Sequence, residues 1–229
     1  AAGGYGVNAG EYASAASSPL YPMLLLFQAG GEVQRWLPLV WNAIGVVASG
    51  WLWGSLMIRA GLTGKWAVLM AVLAPLFLNI VGAGYVGMEH ALHIAASLAV
   101  VQGGVVLVQD NRVNGWLILG IALCPLLRFE GMALSLVGAG LVVWHRKWGQ
   151  GVALLALAVL PLVGFCYYLT TLGLDPFPNS IQAKLEDNDS IEMSRLIKMA
   201  IALMLNLNEW GGKLLLAGIV VTGMLVRLP

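Results

Sequence analysis

The chain has 229 residues, of which 59% are hydrophobic and 10% are charged, and its net charge is +1. Soluble domains carry about 25% charged residues because charge keeps their surface in water. This composition excludes an ordinary soluble domain, and the small net charge gives no basic field for binding nucleic acid. We therefore expect an all-α, polytopic transmembrane helical bundle.

Residues 1–35 combine a glycine-rich polar segment with a short apolar run at 19–29. At about 11 residues, this run is shorter than the roughly 20 residues that a spanning helix needs. We predict an outer loop followed by a helix that lies in the membrane interface. Ser18 and Pro19 fit a helix cap followed by a proline in the first turn.

Residues 36–172 carry most of the predicted transmembrane helices. Residues 114–144 form an apolar stretch that is broken once, by Arg128-Phe129-Glu130. One continuous helix would place both charges near mid-membrane, at a cost of at least about 2.5–3.5 kcal/mol each. Two short helices that meet at the charged break are therefore predicted. The other runs of spanning length are 36–58, 66–81 (extendable to 85), 91–108 and 150–172.

The C-terminal part begins with a polar outer loop at 173–195 and continues with further membrane helices within 196–229. Its apolar runs, 199–207 and 213–226, are shorter, and the first could either span the membrane or lie along it. The sequence opens without an initiator Met and stops just after an apolar run. We expect a single transmembrane domain that is truncated at both ends.

The positively charged loops predict an orientation, because short cytoplasmic loops are enriched in Lys and Arg. The loop between Arg59 and Lys65 and the loop at 145–147 are therefore placed inside. With these two loops inside, the predicted helices alternate consistently across the membrane if residues 19–29 do not span it. This orientation puts four polar segments on the outer side, which suggests one outward-facing site, with chance co-location as the rival interpretation. These segments are residues 1–18, 84–93, 128–130 and 173–190.

Residues 89–93 place a carboxylate and two imidazoles at the start of a membrane helix. If this helix begins near Gly87, Glu89 and His93 share one face. Together with His90 they could bind a divalent cation, handle a proton, or meet an anion at the positive end of the helix dipole. The structural alternative is that Glu89 caps its own helix and the histidines bond neighbouring helices. Two candidate ligands do not define a metal site, so the metal is left unassigned.

Two other polar groups have both a structural and a functional interpretation. Arg128 and Glu130 either neutralise each other or bind substrate, with the Arg128 guanidinium as a fork for phosphate or sugar hydroxyls. In the outer loop, Asn179 follows two stiffening prolines and could cap a turn or contact ligand. Lys184 would stand about one and a half helical turns further on, placed to meet an anion or simply solvated.

Four short motifs stand in a fixed order, separated by apolar spacers. They are Ser17-Ser18-Pro19-Leu20-Tyr21-Pro22, Gly87-Met88-Glu89-His90, Leu127-Arg128-Phe129-Glu130-Gly131, and Pro178-Asn179-Ser180 continuing to Ala183-Lys184. In this order the chain resembles bacterial GT-C-fold glycosyltransferases, which use polyprenyl-phosphate sugars, and in particular their arabinofuranosyl- and mannosyltransferase-like members.

The resemblance implies an inverting transfer of a sugar from a polyprenyl-phosphate donor to a glycan or lipid acceptor. The enzyme would be a multi-pass protein of the bacterial inner membrane, surrounded by membrane lipids, with its active site facing the periplasm or exterior. Glu89 and His90 become the catalytic candidates, and Arg128 and Lys184 the residues at the donor phosphate. The full set of substrate-binding candidates is Asn8, Glu11, Ser18, His93, Arg128, Glu130, Asn179 and Lys184.

The general base is the point at which this sequence departs from the family. The family carries an acidic residue for this role in its first outer loop, after a first spanning helix. Both would precede Ala1, and we do not assign the role to Glu11, the remaining carboxylate of that loop. The chain alone is therefore expected to be inactive. No cofactor is implied beyond a divalent cation that Glu89 and His93 could hold.

Two other classes of function stay open. One is a membrane transporter or flippase in which Glu89, His90 and His93 form a relay inside the membrane. The sequence shows no internal repeat and no paired broken helices in corresponding halves, which such proteins commonly have. The other is a non-catalytic membrane scaffold that keeps the fold without the chemistry.

Overall fold

The computed structural model describes residues 18–26, 33–85, 87–176, 204 and 208–225. Across these ranges the chain forms helices and no strand, which confirms the all-α prediction. The helices are α1 (Tyr21–Leu26), α2 (Val33–Arg59), α3 (Lys65–Phe77), α4 (Ile80–Tyr85), α5 (His90–Asp110), α6 (Gly115–Leu127), α7 (Gly131–Trp144), α8 (Trp148–Thr171) and α9 (Trp210–Leu225).

Three of these helices are long and apolar enough to cross a membrane: Trp36–Arg59 within α2, α5 and α8. They agree with the predicted runs 36–58, 91–108 and 150–172 to within two residues at each end. Helices α3, α6 and α7 are apolar but have only 13 or 14 residues. Each rises about 20 Å, against about 30 Å of hydrocarbon in a bilayer. Length and composition thus indicate a membrane protein.

Helix α8 illustrates how the surface suits lipid. Leu154 and Ala158 belong to its buried face, whereas Val152, Leu160 and Val163 are each more than half exposed. A continuous exposed apolar face is a liability in water and normal against acyl chains. Five tryptophans near the ends of apolar runs are also exposed, by 47% to 84%, which suits side chains at a membrane interface; they are Trp36, Trp66, Trp144, Trp148 and Trp210.

The predicted run 66–81 has the right extent, including its extension to Tyr85, but it is not one helix. Helix α3 ends at Phe77, and α4 begins after a two-residue turn. In this turn Asn79 adopts a left-handed conformation with φ 51°, which asparagine tolerates better than most residues. Pro75, in the last turn of α3, also lacks the N–H that would continue the hydrogen-bond ladder.

The chain divides into two compact units. The first comprises Ala1–Pro38 and Ala99–Ser190, and the second comprises Leu39–Leu98 and Ile191–Pro229. Among the described residues, the first unit contains α1, the C-terminal part of α5, α6, α7 and α8. The second contains most of α2, α3, α4, the N-terminal part of α5, and α9. The division into a single transmembrane domain with outer loops at 1–35 and 173–195 stays a prediction.

In the first unit, α6, α7 and α8 follow one another as antiparallel neighbours joined by three-residue connections. Small residues allow their backbones to approach closely. A Cβ atom added at Gly103 of α5 would collide with Leu117 of α6, and one added at Gly151 of α8 would collide with Val143 of α7. Such close packing is the usual source of helix association in lipid, where burial of apolar surface gives no driving force.

A side-chain hydrogen bond replaces a backbone hydrogen bond that is missing from α6. Pro125 has no N–H, so it cannot satisfy the carbonyl of Ile121 one turn earlier. The Ser135 hydroxyl of α7 donates to that carbonyl over 2.8 Å, and Ser135 is completely buried. At the start of α6, the Asn114 side chain accepts a bond from the Leu117 amide at 3.0 Å. The α6–α7 hairpin is therefore held by a specific polar contact, from Ser135 to Ile121, as well as by packing.

Substitution of Ser135 tests this repair. Ser135→Ala should lower the free energy of unfolding by about 1–3 kcal/mol, because it leaves a buried carbonyl without a donor. In the Pro125→Ala background the same substitution should cost much less, since the N–H restored at position 125 can bond Ile121. Unfolding in detergent micelles, followed by circular dichroism, measures both values. An equal cost in the two backgrounds would contradict the interpretation.

Candidate functional site

The start of α1 and the end of α6 satisfy each other's backbone groups. The Tyr21 amide donates to the Ser18 hydroxyl oxygen at 3.0 Å, which confirms Ser18 as the cap of α1. The Ser18 hydroxyl in turn donates to the Leu126 carbonyl at 3.1 Å, and the Leu20 amide donates to the same carbonyl at 2.9 Å. Carbonyls in the last turn of a helix lack intrahelical partners. This contact fixes α1 beside the charged break.

The charged break is an extended residue followed by a turn. Arg128 has φ −152° and ψ 134°, which ends α6, and α7 begins at Gly131. Arg128 Nη2 lies 3.5 Å from Glu130 Oε1, with the two side chains 20% and 51% exposed. The predicted pair is therefore formed, at a distance longer than the roughly 2.7–2.9 Å of a strong charge-assisted hydrogen bond.

The charged break does not reach as far as the C-terminal end of α8. The rings of Phe129 and Phe165 are in contact, with 6.3 Å between their centroids, so the break is level with the Phe165 turn of α8. Helix α8 continues for six more residues to Thr171, a rise of about 9 Å. Arg128 and Glu130 are consequently recessed by about this depth relative to the end of α8.

An apolar groove of about 310 Å³ lies beside the break, between α1 and α8. One side of the groove is formed by Leu126, whose carbonyl accepts the Leu20 amide at the start of α1. The other side is formed by Phe165, whose ring contacts Phe129. The groove and the ion pair thus share one corner of the first unit. The residues that line the groove are Pro19, Leu20, Met23, Leu126, Pro161, Gly164, Phe165 and Tyr168.

The Glu89 segment lies in the second unit. Helix α5 begins at His90, three residues after the start near Gly87 that a shared helical face of Glu89 and His93 required, and Gly87 is in a left-handed conformation with φ 71°. Glu89 therefore precedes the first turn of α5, and its carbonyl accepts the His93 amide at 2.9 Å. Its side chain is only 3% exposed. The segment therefore presents a buried carboxyl group at the N-terminus of a helix that is long and apolar enough to span a membrane.

Two residues of α2 that the sequence analysis did not select hold this segment. Asn42 is 2% exposed, and its Nδ2 donates to the Gly84 carbonyl at 2.9 Å. A Cβ atom added at Gly45 would lie 2.7 Å from the carbonyl carbon of Ala91, so the two backbones touch. A lone asparagine in an apolar span was the available signal, since intramembrane polar side chains are costly and usually have a partner.

The predicted site residues fall into three groups. The structure brings together Ser18, Arg128 and Glu130 in the first unit, and Glu89, His90 and His93 follow one another in the second. Within the described residues, no group of three or more His, Cys, Asp or Glu side chains could hold a metal ion. The convergence of all candidates on one pocket stays a prediction. Asn8, Glu11, Asn179 and Lys184 lie outside the described residues.

Comparison with known proteins gives no match, whether with family models, curated proteins or solved structures. The resemblance to GT-C glycosyltransferases therefore depends on the four motifs. A functional assignment has to be argued from the residues and from the geometry of each unit.

Substitution of Ser18 tests the junction between α1 and α6. Ser18→Ala removes the cap of α1 and one donor to Leu126, so the Leu20 and Tyr21 amides should exchange with solvent about 5- to 30-fold faster. This factor corresponds to about 1–2 kcal/mol, the typical cost of losing a cap. Hydrogen exchange read by mass spectrometry provides the measurement. Ser18→Thr, which keeps the hydroxyl, should behave as the parent, and unchanged exchange in Ser18→Ala would count against the junction.

Proposed function

We propose that this protein is an integral membrane glycosyltransferase that moves a sugar from a polyprenyl-phosphate donor to a cell-envelope acceptor at the outer face of a bacterial inner membrane. The observation that carries the proposal is the recessed Arg128–Glu130 pair beside an apolar groove. A lipid-linked sugar phosphate has the complementary chemistry, with an anionic headgroup and a long apolar chain. The order of the four motifs supports the same class.

The headgroup end of the proposed site is Arg128. During transfer the bond between the anomeric carbon and the phosphate oxygen breaks, and the phosphate leaves with the bonding electrons. A fixed cation near the leaving oxygen stabilises this charge most where water is excluded. Arg128 is four-fifths buried, and its guanidinium has the planar geometry that suits phosphate. Glu130 would hold the guanidinium in place, and Lys184 would supply a second positive charge.

The lipid end of the proposed site is the groove between α1 and α8. Its lining is almost entirely aliphatic and aromatic, and it starts at the turn of α6 that immediately precedes Arg128. A chain that lies in this groove would therefore bring its phosphate towards the recess. Because burial of apolar surface gives no driving force in lipid, the groove would favour this pose through close packing of the chain against its side chains.

Removal of the cation tests the headgroup site. Arg128→Ala should lower kcat/KM for transfer from a radiolabelled polyprenyl-phosphate sugar by about 100-fold or more, in line with the loss of one electrostatic stabiliser. Lys184→Ala should also lower kcat/KM, and Arg128→Lys should retain part of the activity. The assay uses the full-length protein in native membrane vesicles.

The matched control is Arg112→Ala, which removes an exposed arginine from the loop at the opposite end of α6 and should leave transfer unchanged. Folding of each variant is checked by its thermal denaturation in detergent. Unchanged turnover in both Arg128→Ala and Lys184→Ala would remove these residues from the site. Movement of the lipid across vesicles without sugar transfer would favour a flippase instead.

A bulky side chain in the groove tests the lipid site. Gly164 lines the groove, and a Cβ atom added there meets nothing within 4 Å, so Gly164→Phe fills the groove without a backbone clash. It should raise KM for the polyprenyl donor, because the added ring occupies the space in which the chain would pack. Gly140→Phe on α7, equally open but outside the groove, is the control. An equal KM in the two variants would exclude the groove as the lipid site.

A further inference from the structure

Helix α2 contacts the segment that carries Glu89 at two points, one before and one after Glu89 in the sequence. Asn42 bonds the Gly84 carbonyl before Glu89, and Gly45 lies against the backbone of Ala91 after it. Asn42 and Gly45 are three residues apart, so they lie on the same face of α2. All these residues belong to the second unit. We call Asn42 and Gly45 together the α2 clamp.

The Asn42 end of the clamp is a buried polar contact at a turn. The Gly84 carbonyl accepts the Gly87 amide at 3.4 Å as well as Asn42 Nδ2 at 2.9 Å, so the shorter of these bonds comes from α2. Gly87 is in the left-handed region, where the chain turns into α5. Without Asn42, a carbonyl at the end of α4 would lose its stronger donor inside an apolar protein, and the turn would relax.

The Gly45 end of the clamp is a steric contact. A Cβ atom added there would lie 2.7 Å from the Ala91 carbonyl carbon and 2.8 Å from both the Ala91 carbonyl oxygen and the Leu92 amide nitrogen. No side chain larger than hydrogen fits at this distance unless the start of α5 moves. Gly45 therefore determines how closely the first turn of α5 approaches α2.

We propose that Asn42 is a positioning residue for the transfer reaction, which acts by fixing Gly84 and thereby the Glu89 carboxyl group that follows it. The inference rests on the proposed function and on the catalytic role that the family resemblance implies for Glu89. Glu89 is 3% exposed, and its backbone lies between the two contacts of the clamp. A shift of about 1 Å in a group that must meet a reacting atom can cost about 100-fold in rate.

The first test compares steady-state transfer by full-length variants. Asn42→Leu keeps the branched shape of the side chain and removes the donor, so kcat should fall about 10- to 100-fold while KM for the polyprenyl-phosphate sugar changes less than threefold. Asn42→Gln, which restores an amide donor, should recover part of kcat. The matched control is Ser49→Ala, which removes a completely buried hydroxyl two turns along the same face of α2 and should leave kcat unchanged.

The second test is a double-mutant cycle with Glu89→Gln. If Asn42 acts through Glu89, Asn42→Leu should have little further effect on kcat in the Glu89→Gln background, because coupled residues are not additive. A purely structural role predicts the same fold-loss in both backgrounds. Gly45→Ala provides a second route to the same displacement, keeps the Asn42 amide, and should show the same non-additivity if Asn42→Leu fails to fold.

The outcomes separate the two proposals. If the parent protein transfers no sugar, both the proposed function and this inference fall. If the parent transfers sugar but Asn42→Leu and Gly45→Ala retain full kcat, or lose the same factor with and without Glu89, the proposed function stands and the positioning role is wrong. Loss of kcat in the clamp variants that disappears in the Glu89→Gln background supports the role of Asn42.

Discussion

Lipid cannot accept or donate hydrogen bonds, and this constraint explains three of the six polar or charged side chains that are buried among the described residues. Each backbone carbonyl left open by a helix end or a proline needs a partner from the protein itself, since an unsatisfied one costs several kcal/mol. Three such carbonyls, each near a helix end or proline, accept side-chain donors over 2.8–3.1 Å. The pairs are Leu126 with Ser18, Ile121 with Ser135, and Gly84 with Asn42.

Because the backbone groups at the end of α6 have hydrogen-bond partners, the chain can form two short helices here where it would otherwise form one continuous helix. Helices α6 and α7 can stop after 13 and 14 residues because the last turn of α6 is capped by the start of α1. A shorter hairpin than the neighbouring α8 creates the recess, and its turn carries the two charged residues. The same repair of the backbone therefore determines both the stability of the hairpin and the depth at which Arg128 and Glu130 are held.

Much of this organisation could be predicted from local sequence. The length of apolar runs gave the spans of α2, α5 and α8, the cost of intramembrane charge predicted the division at 128–130, and the Ser18-Pro19 pair predicted the start of α1. The break at Asn79 was not predicted, although Pro75 and Asn79 interrupt the apolar run and are residues that commonly end helices. The contacts of Ser135 and Asn42 join residues 14 and 42 positions apart, so no local pattern contains them.

The pairing of Arg128 with Glu130 explains how a mostly buried arginine can bind an anionic ligand in each turnover and remain neutralised between turnovers. An arginine whose side chain is four-fifths buried would be costly without a counter-ion between turnovers. Glu130 balances it at 3.5 Å, and because Glu130 is half exposed its carboxylate can return to water when another anion arrives. In the proposed enzyme, binding of the lipid phosphate is then an exchange of partners for Arg128 and not the burial of a new charge. Such an exchange requires the arginine to be held by the fold, and the capped end of α6 two residues earlier supplies this support.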